Sequence, residues 1–336
     1  MGKLIAGMAS SHAATLVDPS SWSDHRTRNR QRYASRYGSI PPEHPQVALE
    51  TMEDLQTRYT RIRDGLESLR HKLEQVRPDA LIILGDDQNE NFTEANLPQI
   101  AIYVGDGFLV NSSHAGAEPL RYPSKPALAE AILSQCVDAG IDMASVRSLP
   151  NDLLKAHAFG PILRTVDPEA RIPVVPIFVN AIHVPAPSPQ RCYVYGQTIR
   201  RAIESYAGIG PVAVYASGGM SHFTAGYPWR HYEGSYTHGS ISEDFDRWLM
   251  ERMRAGEGHT LAELTNDQII GNGEIELRSW ISALGAMGNR KPEFLIYEPF
   301  YSAIMGMAVA YWDLGHSNED GRIPLRGRDE NDPLSD

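Results

Sequence analysis

Residues 210–222 read Gly-Pro-Val-Ala-Val-Tyr-Ala-Ser-Gly-Gly-Met-Ser-His, and this stretch decides the fold. Gly210–Ala216 is an apolar, β-branched run of strand length bounded by breakers. It passes directly into Ser217-Gly218-Gly219, where glycine permits a sharp turn or a close backbone approach, and then reaches His222. The same arrangement, an apolar run followed by a polar exit, recurs along the chain. Asp79–Gly85 (DALIILG) reads as a fully buried strand that ends in Asp86-Asp87-Gln88-Asn89-Glu90-Asn91. Lys3–Ala9 ends in Ser10-Ser11-His12. Gln99–Val104 and Pro173–Asn180 (PVVPIFVN) are further buried strands, the second marked by Pro176 as an edge strand or a bulge. Phe294–Tyr297 and Met305–Trp312 close the series.

Between these runs the apolar period changes to that of a helix. In Val47–Val76, Leu49, Met52, Leu55, Tyr59, Ile62, Leu66, Leu69 and Leu73 recur at three and four, and Pro78 ends the pattern. Ser124–Ala139 reads as a helix capped by Ser124, with Gly140 just past its end. Arg191–Ala207, Ser242–Arg254, Thr260–Thr265 and Glu274–Met287 also read as helical. Strands alternating with helices predict an α/β fold, one domain with a central, largely buried sheet flanked by helices. The expected catalytic domain covers residues 1–315. Within it, the polar, arginine-rich stretch 18–46 reads as a lid or a surface excursion. Residues 316–336 read as a polar C-terminal tail.

Composition narrows the function classes. The 336 residues are 42% apolar and 22% charged, with 31 Lys and Arg against 42 Asp and Glu, a net charge of −11. An acidic chain without a basic run is a poor partner for a phosphate backbone, so no nucleic acid is expected. No apolar stretch approaches the roughly 20 residues of a membrane span. Residues 1–16 read as a first strand, not an export signal. Two cysteines, Cys136 and Cys192, leave neither a disulfide scaffold nor a thiolate metal cluster. A cytoplasmic protein is expected.

In open α/β sheets, ligands bind beyond the carboxyl ends of strands. That rule selects Ser10–His12, Gly85–Gln88 and Ser217–His222. Each also has a plainer reading: His12 and His222 as structural histidines, and the Asp86–Asn91 cluster as a turn or a cap. Glu274 and Glu276 open a helix, where acids suit the dipole. His157 stands among apolar neighbours, in a buried or a catalytic role. No Gly-x-Ser-x-Gly elbow, P-loop or His-Glu-x-x-His motif occurs. Histidines and carboxylates at strand exits fit a metal centre with nitrogen and oxygen ligands.

Four stretches together resemble the class III extradiol ring-cleavage dioxygenases, the superfamily of the protocatechuate 4,5-dioxygenase β subunit. They are Ser11-His12 after the first strand, Ser217-Gly218-Gly219-Met220-Ser221-His222, Pro187-x-x-x-Arg191-Cys192, and Gly273-x-x-Glu276-x-x-x-Trp280-x-x-x-x-Gly285-Ala286-Met287. The resemblance runs from the first strand to about Trp312 and implies a single-domain, sandwich-like α/β fold. It implies that His12 and Glu276 bind iron, that His222 is the acid–base catalyst, and that His157 contacts substrate.

One position departs. Where the family has Asn-Asp-His, with that histidine on the iron, this chain has Asp86-Asp87-Gln88, so Gln88 stands at the second ligand position. The departure marks a subgroup with Asp-Gln in place of Asp-His. A Gln amide oxygen is neutral, like imidazole, but a harder and weaker ligand for Fe(II). Asp87, His114 or His44 are the other residues that could complete the set. The expected function is a non-haem Fe(II) extradiol dioxygenase, Mn(II) being the other metal to consider, that cleaves a catechol-type substrate, carboxylated or biaryl, with O2. A homo-oligomer is expected, with a small companion subunit as in some members. The rival readings are a same-fold metal enzyme of changed reaction and a non-catalytic subunit without the metal.

Overall fold

In the computed structural model, which describes residues 1–13, 18–40, 42–93, 95–111, 118–223 and 240–315, the first apolar run forms β1 (Lys3–Ser10). Within the stretch 18–46 a polar helix follows, α1 (Trp22–Tyr37), which buries Trp22. Then come α2 (Met52–Val76), β2 (Ala80–Gly85), β3 (Ile100–Tyr103) and the hairpin β4 (Gly107–Val110) and β5 (Leu120–Pro123). The middle of the chain supplies α3 (Pro126–Asp138), β6 (Ala144–Val146), α4 (Gly160–Val166), β7 (Val174–Val179) and α5 (Pro189–Ser205). The last part supplies β8 (Pro211–Ser217), α6 (Glu243–Ala255), α7 (Asn266–Gly271), α8 (Leu277–Met287), β9 (Phe294–Phe300) and β10 (Met305–Asp313).

Among the described residues, eight strands form one sheet in the order β6-β3-β7-β2-β8-β1-β10-β9. β7, β2, β8 and β1 are parallel neighbours, β10 pairs antiparallel with β1, and β9 pairs antiparallel with β10. Successive residues of each strand point to opposite faces. Ala80, Ile82 and Leu84 of β2 therefore enter one core with α3, α5, α6 and α8, while Leu81 and Ile83 enter a second core with α2 and α4. Both faces of the sheet are covered, as a parallel sheet requires.

Several local expectations are revised. Pro176 does not mark an edge, since β7 lies between β3 and β2. The ladder with β3 covers Ile177–Val179 and stops before Pro176, which is how an interior strand accommodates a residue without an N–H. α2 starts at Met52, not Val47. Thr51 accepts from Asp54 N at 3.1 Å as its cap, and Pro45–Leu49 forms a separate 3₁₀ turn. Ser124 does not cap α3: the helix opens on Pro126, and the buried Ser124 Oγ has no partner among the described residues. The expected tail over 316–336 and His114 lie outside the described residues.

α5 and α8 cross in close contact. A methyl group at Gly196 would fall 1.8 Å from Ser282 O. This crossing fixes α8 against the sheet, and α8 begins one residue after Glu276.

Candidate metal centre and active site

The parallel strands deliver their exits to one edge. β1 ends at Ser10 and β8 at Ser217, paired in register, so His12 and the Gly218–His222 loop leave side by side. Beneath the loop sits Glu276, 1% exposed at the N-cap of α8. Its Oε2 accepts from Gly219 N at 2.7 Å, and its Oε1 accepts from Gln88 Nε2 at 3.0 Å. The loop approaches so closely that a Cβ on Gly218, whose φ is +136°, would fall 2.9 Å from Glu276 Cβ. One turn along α8, Trp280 Nε1 donates to Gly218 O at 2.8 Å and fastens the loop to the helix.

Three histidines surround the carboxylate. His12 Nε2 is 3.6 Å from Glu276 Oε2, and His222 Nε2 is 3.4 Å from Glu276 Oε1. His157 meets His12 edge-on, ring centroids 4.6 Å apart. On each ring the Nδ1 atom faces protein: Ser217 Oγ at 3.4 Å for His12, Glu90 Oε1 at 2.8 Å for His157, and Met220 O at 2.8 Å for His222. Such outer partners fix ring orientation and tautomer at metal sites. One donor atom from each of His12, His157 and Glu276 lies within 4.8 Å of the others, a separation one cation can span.

The Asp86–Asn91 cluster divides into distinct tasks. Asp87 is a turn cap: its carboxylate accepts from the backbone N–H groups of Glu90, Asn91 and Phe92. Asn91 Oδ1 accepts from Lys155 N and Ala156 N, and Glu90 accepts from His157 N, so this loop clamps the segment that presents His157. Gln88 Nε2 donates to both Asp86 Oδ2 and Glu276 Oε1 at 3.0 Å, with its amide nitrogen aimed at the carboxylates. Asp86 is fully buried, and its Oδ1 has no partner among the described residues.

The electrostatics follow from burial and this grouping. Burial lowers the His12 pKa to about 4, against the pull of Glu276. Burial would also lower His222 and His157, but the Glu276 carboxylate lifts the first to about 9, and the Glu90 hydrogen bond lifts the second to about 9. Burial would raise Glu276, yet His12 and His222 hold it well below the usual carboxylate range. Burial, then Glu276, pushes Asp86 up to about 7.

A cavity of about 210 Å³ opens over the cluster, lined by His12, Gln88, His157, His222 and Glu276 together with Met305 and Gly306. Ala13 and Gly219 also line it, and its further wall is α1, through His25, Asn29 and Arg32. His25 and Asn29 were not singled out from the sequence, and Arg32 entered only as one arginine of the stretch 18–46, read as suited to a carboxylated substrate, although their i, i+4, i+7 spacing puts all three on one helical face. His44 lies elsewhere, stacked on Tyr301 with centroids 4.5 Å apart.

Two imidazoles and a carboxylate around open space form a donor set that could hold a single metal ion. Residues 44–311 match the family described as the catalytic LigB subunit of aromatic ring-opening dioxygenase, and the chain belongs to that family. Gln88, His157, His222 and Glu276 lie inside the matched span, and His12 lies ahead of it. The chain is 40% identical to a gallate dioxygenase of Pseudomonas putida over 84 residues, 24% of each protein. It is 26% identical to a 2,3-dihydroxyphenylpropionate/2,3-dihydroxicinnamic acid 1,2-dioxygenase of Klebsiella pneumoniae over 153 residues, 46% of each. These alignments thus span half or less of either relative. To the protein of the same name from Photorhabdus laumondii it is 24% identical over 297 residues, 74% of this chain and 88% of that one. A crystal structure of an uncharacterized Escherichia coli K12 protein aligns with a TM-score of 0.46 at 14% identity, covering 73% of this chain and 91% of that one. Among the described residues, no helix is long and apolar enough to cross a membrane.

Proposed function

We propose that this chain is a non-haem Fe(II)-dependent extradiol dioxygenase that opens the ring of a catechol-type substrate, carboxylated or biaryl, with O2. The reading rests on the gathering of His12, His157 and Glu276 donor atoms within 4.8 Å, in a chain of a ring-opening family. Two histidines and one carboxylate with open positions suit Fe(II) in oxygenases, and Mn(II) accepts the same donors. A bound metal supplies Lewis-acid activation of the diol and holds it beside O2.

The protein's own groups then divide the work. Gln88 donates to Glu276 and holds that carboxylate in place. His222 has Nδ1 against the Met220 carbonyl, so Nδ1–H donates there, and Nε2, free to accept once a bound cation offsets the Glu276 charge that raises this ring, is the atom that would take a proton from a diol hydroxyl and return it later. Glu90 orients His157.

A second reading keeps Gln88 as the metal ligand and gives His157 to the substrate. It is supported by the position of Gln88, whose amide lies 3.0 Å from Glu276 Oε1 and would present its oxygen after a half-turn. Residues 1–315 are read as one catalytic domain, with 18–46 as its lid over the mouth. A cytoplasmic homo-oligomer, with or without a small companion subunit, belongs to the same proposal. Two buried free thiols and the exposed Tyr37, Ile40, Leu49 and Met52 support it.

The test is anaerobic reconstitution with Fe(II), followed by an oxygen-electrode screen of mono- and biaryl catechols. Oxygen uptake matched to ring opening is expected. Stoichiometric metal without oxygen uptake would favour a changed reaction, and no metal would favour a non-catalytic subunit.

A further inference from the structure

The cavity over the metal donors is asymmetric. Its floor carries Glu276 and the histidines, and its α1 wall carries Arg32, the single Lys or Arg among the residues that line it. Arg32 forms no hydrogen bond or ion pair with any described residue. Arg26, earlier on the helix, is engaged elsewhere: it pairs with Glu43 and donates to Ser302 O. The i, i+4, i+7 spacing stacks His25, Asn29 and Arg32 on one face, about 10 Å from first to last. Burial, then Arg28, lower the His25 pKa, and His25 feels both His222 and Arg32. Asn29 is 5% exposed and donates to His25 Nε2 at 3.0 Å. Thus a polar wall of His25 and Asn29 adjoins a guanidinium that has no hydrogen-bond or ion-pair partner among the described residues.

We propose that α1 reads the substituent of the substrate ring: Arg32 pairs with a carboxylate carried on the ring away from the diol, while His25 and Asn29 line the passage between. The inference rests on the catechol reading above and adds a specificity-determining residue to it. A planar guanidinium suits a carboxylate in particular, because its N–H groups match both oxygens.

The experiment compares 3,4-dihydroxybenzoate with catechol, by anaerobic calorimetry on Fe(II)-loaded wild type, Arg32→Ala and Arg32→Glu. Loss of one charge-assisted pair should shift the ratio of the two dissociation constants at least about tenfold against the carboxylated diol in Arg32→Ala. The shift should be larger in Arg32→Glu. Because the pair sits at the mouth, the wild-type preference for the carboxylated diol should weaken as salt rises. An unchanged ratio, or equal losses for both diols, overturns the role of Arg32 and leaves the catechol reading standing. If wild type binds neither diol, the catechol reading fails, and Arg32 is judged with benzoate alone. Benzoate binding lost in Arg32→Ala keeps the anion site, whereas binding that is unchanged, or absent in wild type, removes it.

Discussion

Glu90 holds His157 at two points: its carboxylate accepts from the His157 main-chain nitrogen at 3.0 Å and from Nδ1 at 2.8 Å. With His157 as a metal ligand, as proposed above, this pairing would make metal capture proton-linked. With its pKa raised to about 9, His157 is protonated near neutrality in the metal-free protein, and so is His222. A metal ligand must give up its proton, so apparent metal affinity should climb from pH 7 and level off above about 9. The stability of the metal-free protein should move the other way. A histidine raised from 6.5 to about 9 stabilises the fold fully below 6.5, and that contribution disappears as pH rises through 9. Metal titrations and thermal melts over pH 6–10 check both signs.

His12→Ala and Glu276→Ala should each abolish stoichiometric metal binding while leaving secondary structure near wild type. Metal analysis with circular dichroism reads both, and wild-type affinity in either variant would remove that residue from the centre.

Gln88 and His157 are separated by the same measurement. If Gln88 only steadies Glu276, Gln88→Ala should weaken metal binding in part and His157→Ala should lose it. The opposite order would make Gln88 the ligand. Asp87→Ala should act on the 87–92 turn and lower stability first, since its oxygens accept backbone N–H groups there.

His222→Phe should retain metal and substrate but lower turnover by about 10²–10⁴, the range for a positioned acid–base group. Single-turnover rates decide it, and near-normal rates would exclude His222 from proton transfer.

Gly196→Ala lies far from the chemistry yet should destabilise the fold by about 1–3 kcal/mol, because its methyl would fall 1.8 Å from the Ser282 carbonyl. Denaturation should show a lower midpoint at an unchanged slope.

The sheet strands were legible because each is a short apolar run closed by breakers, buried on both faces as DALIILG is. Helix α1 was not, since only Trp22 among its apolar residues is fully buried, and a polar, arginine-rich stretch reads as surface. The gathering of His12, His222 and Glu276 followed from motif and strand exit. The bonding of the Asp86–Asn91 cluster did not. Which of its side chains caps a turn, which clamps residues 155–157 and which faces Glu276 depends on partners up to 188 residues away. No local spacing encodes such partners.

The position of β1 sets the order in which the molecule can be completed. Its only neighbours in the sheet are β8 and β10, formed by residues 211–217 and 305–313. During synthesis the first strand made is therefore among the last to be paired. Until then Leu4, Ala6 and Met8 and two open backbone edges await partners, the kind of exposure that recruits wrong strands and chaperones.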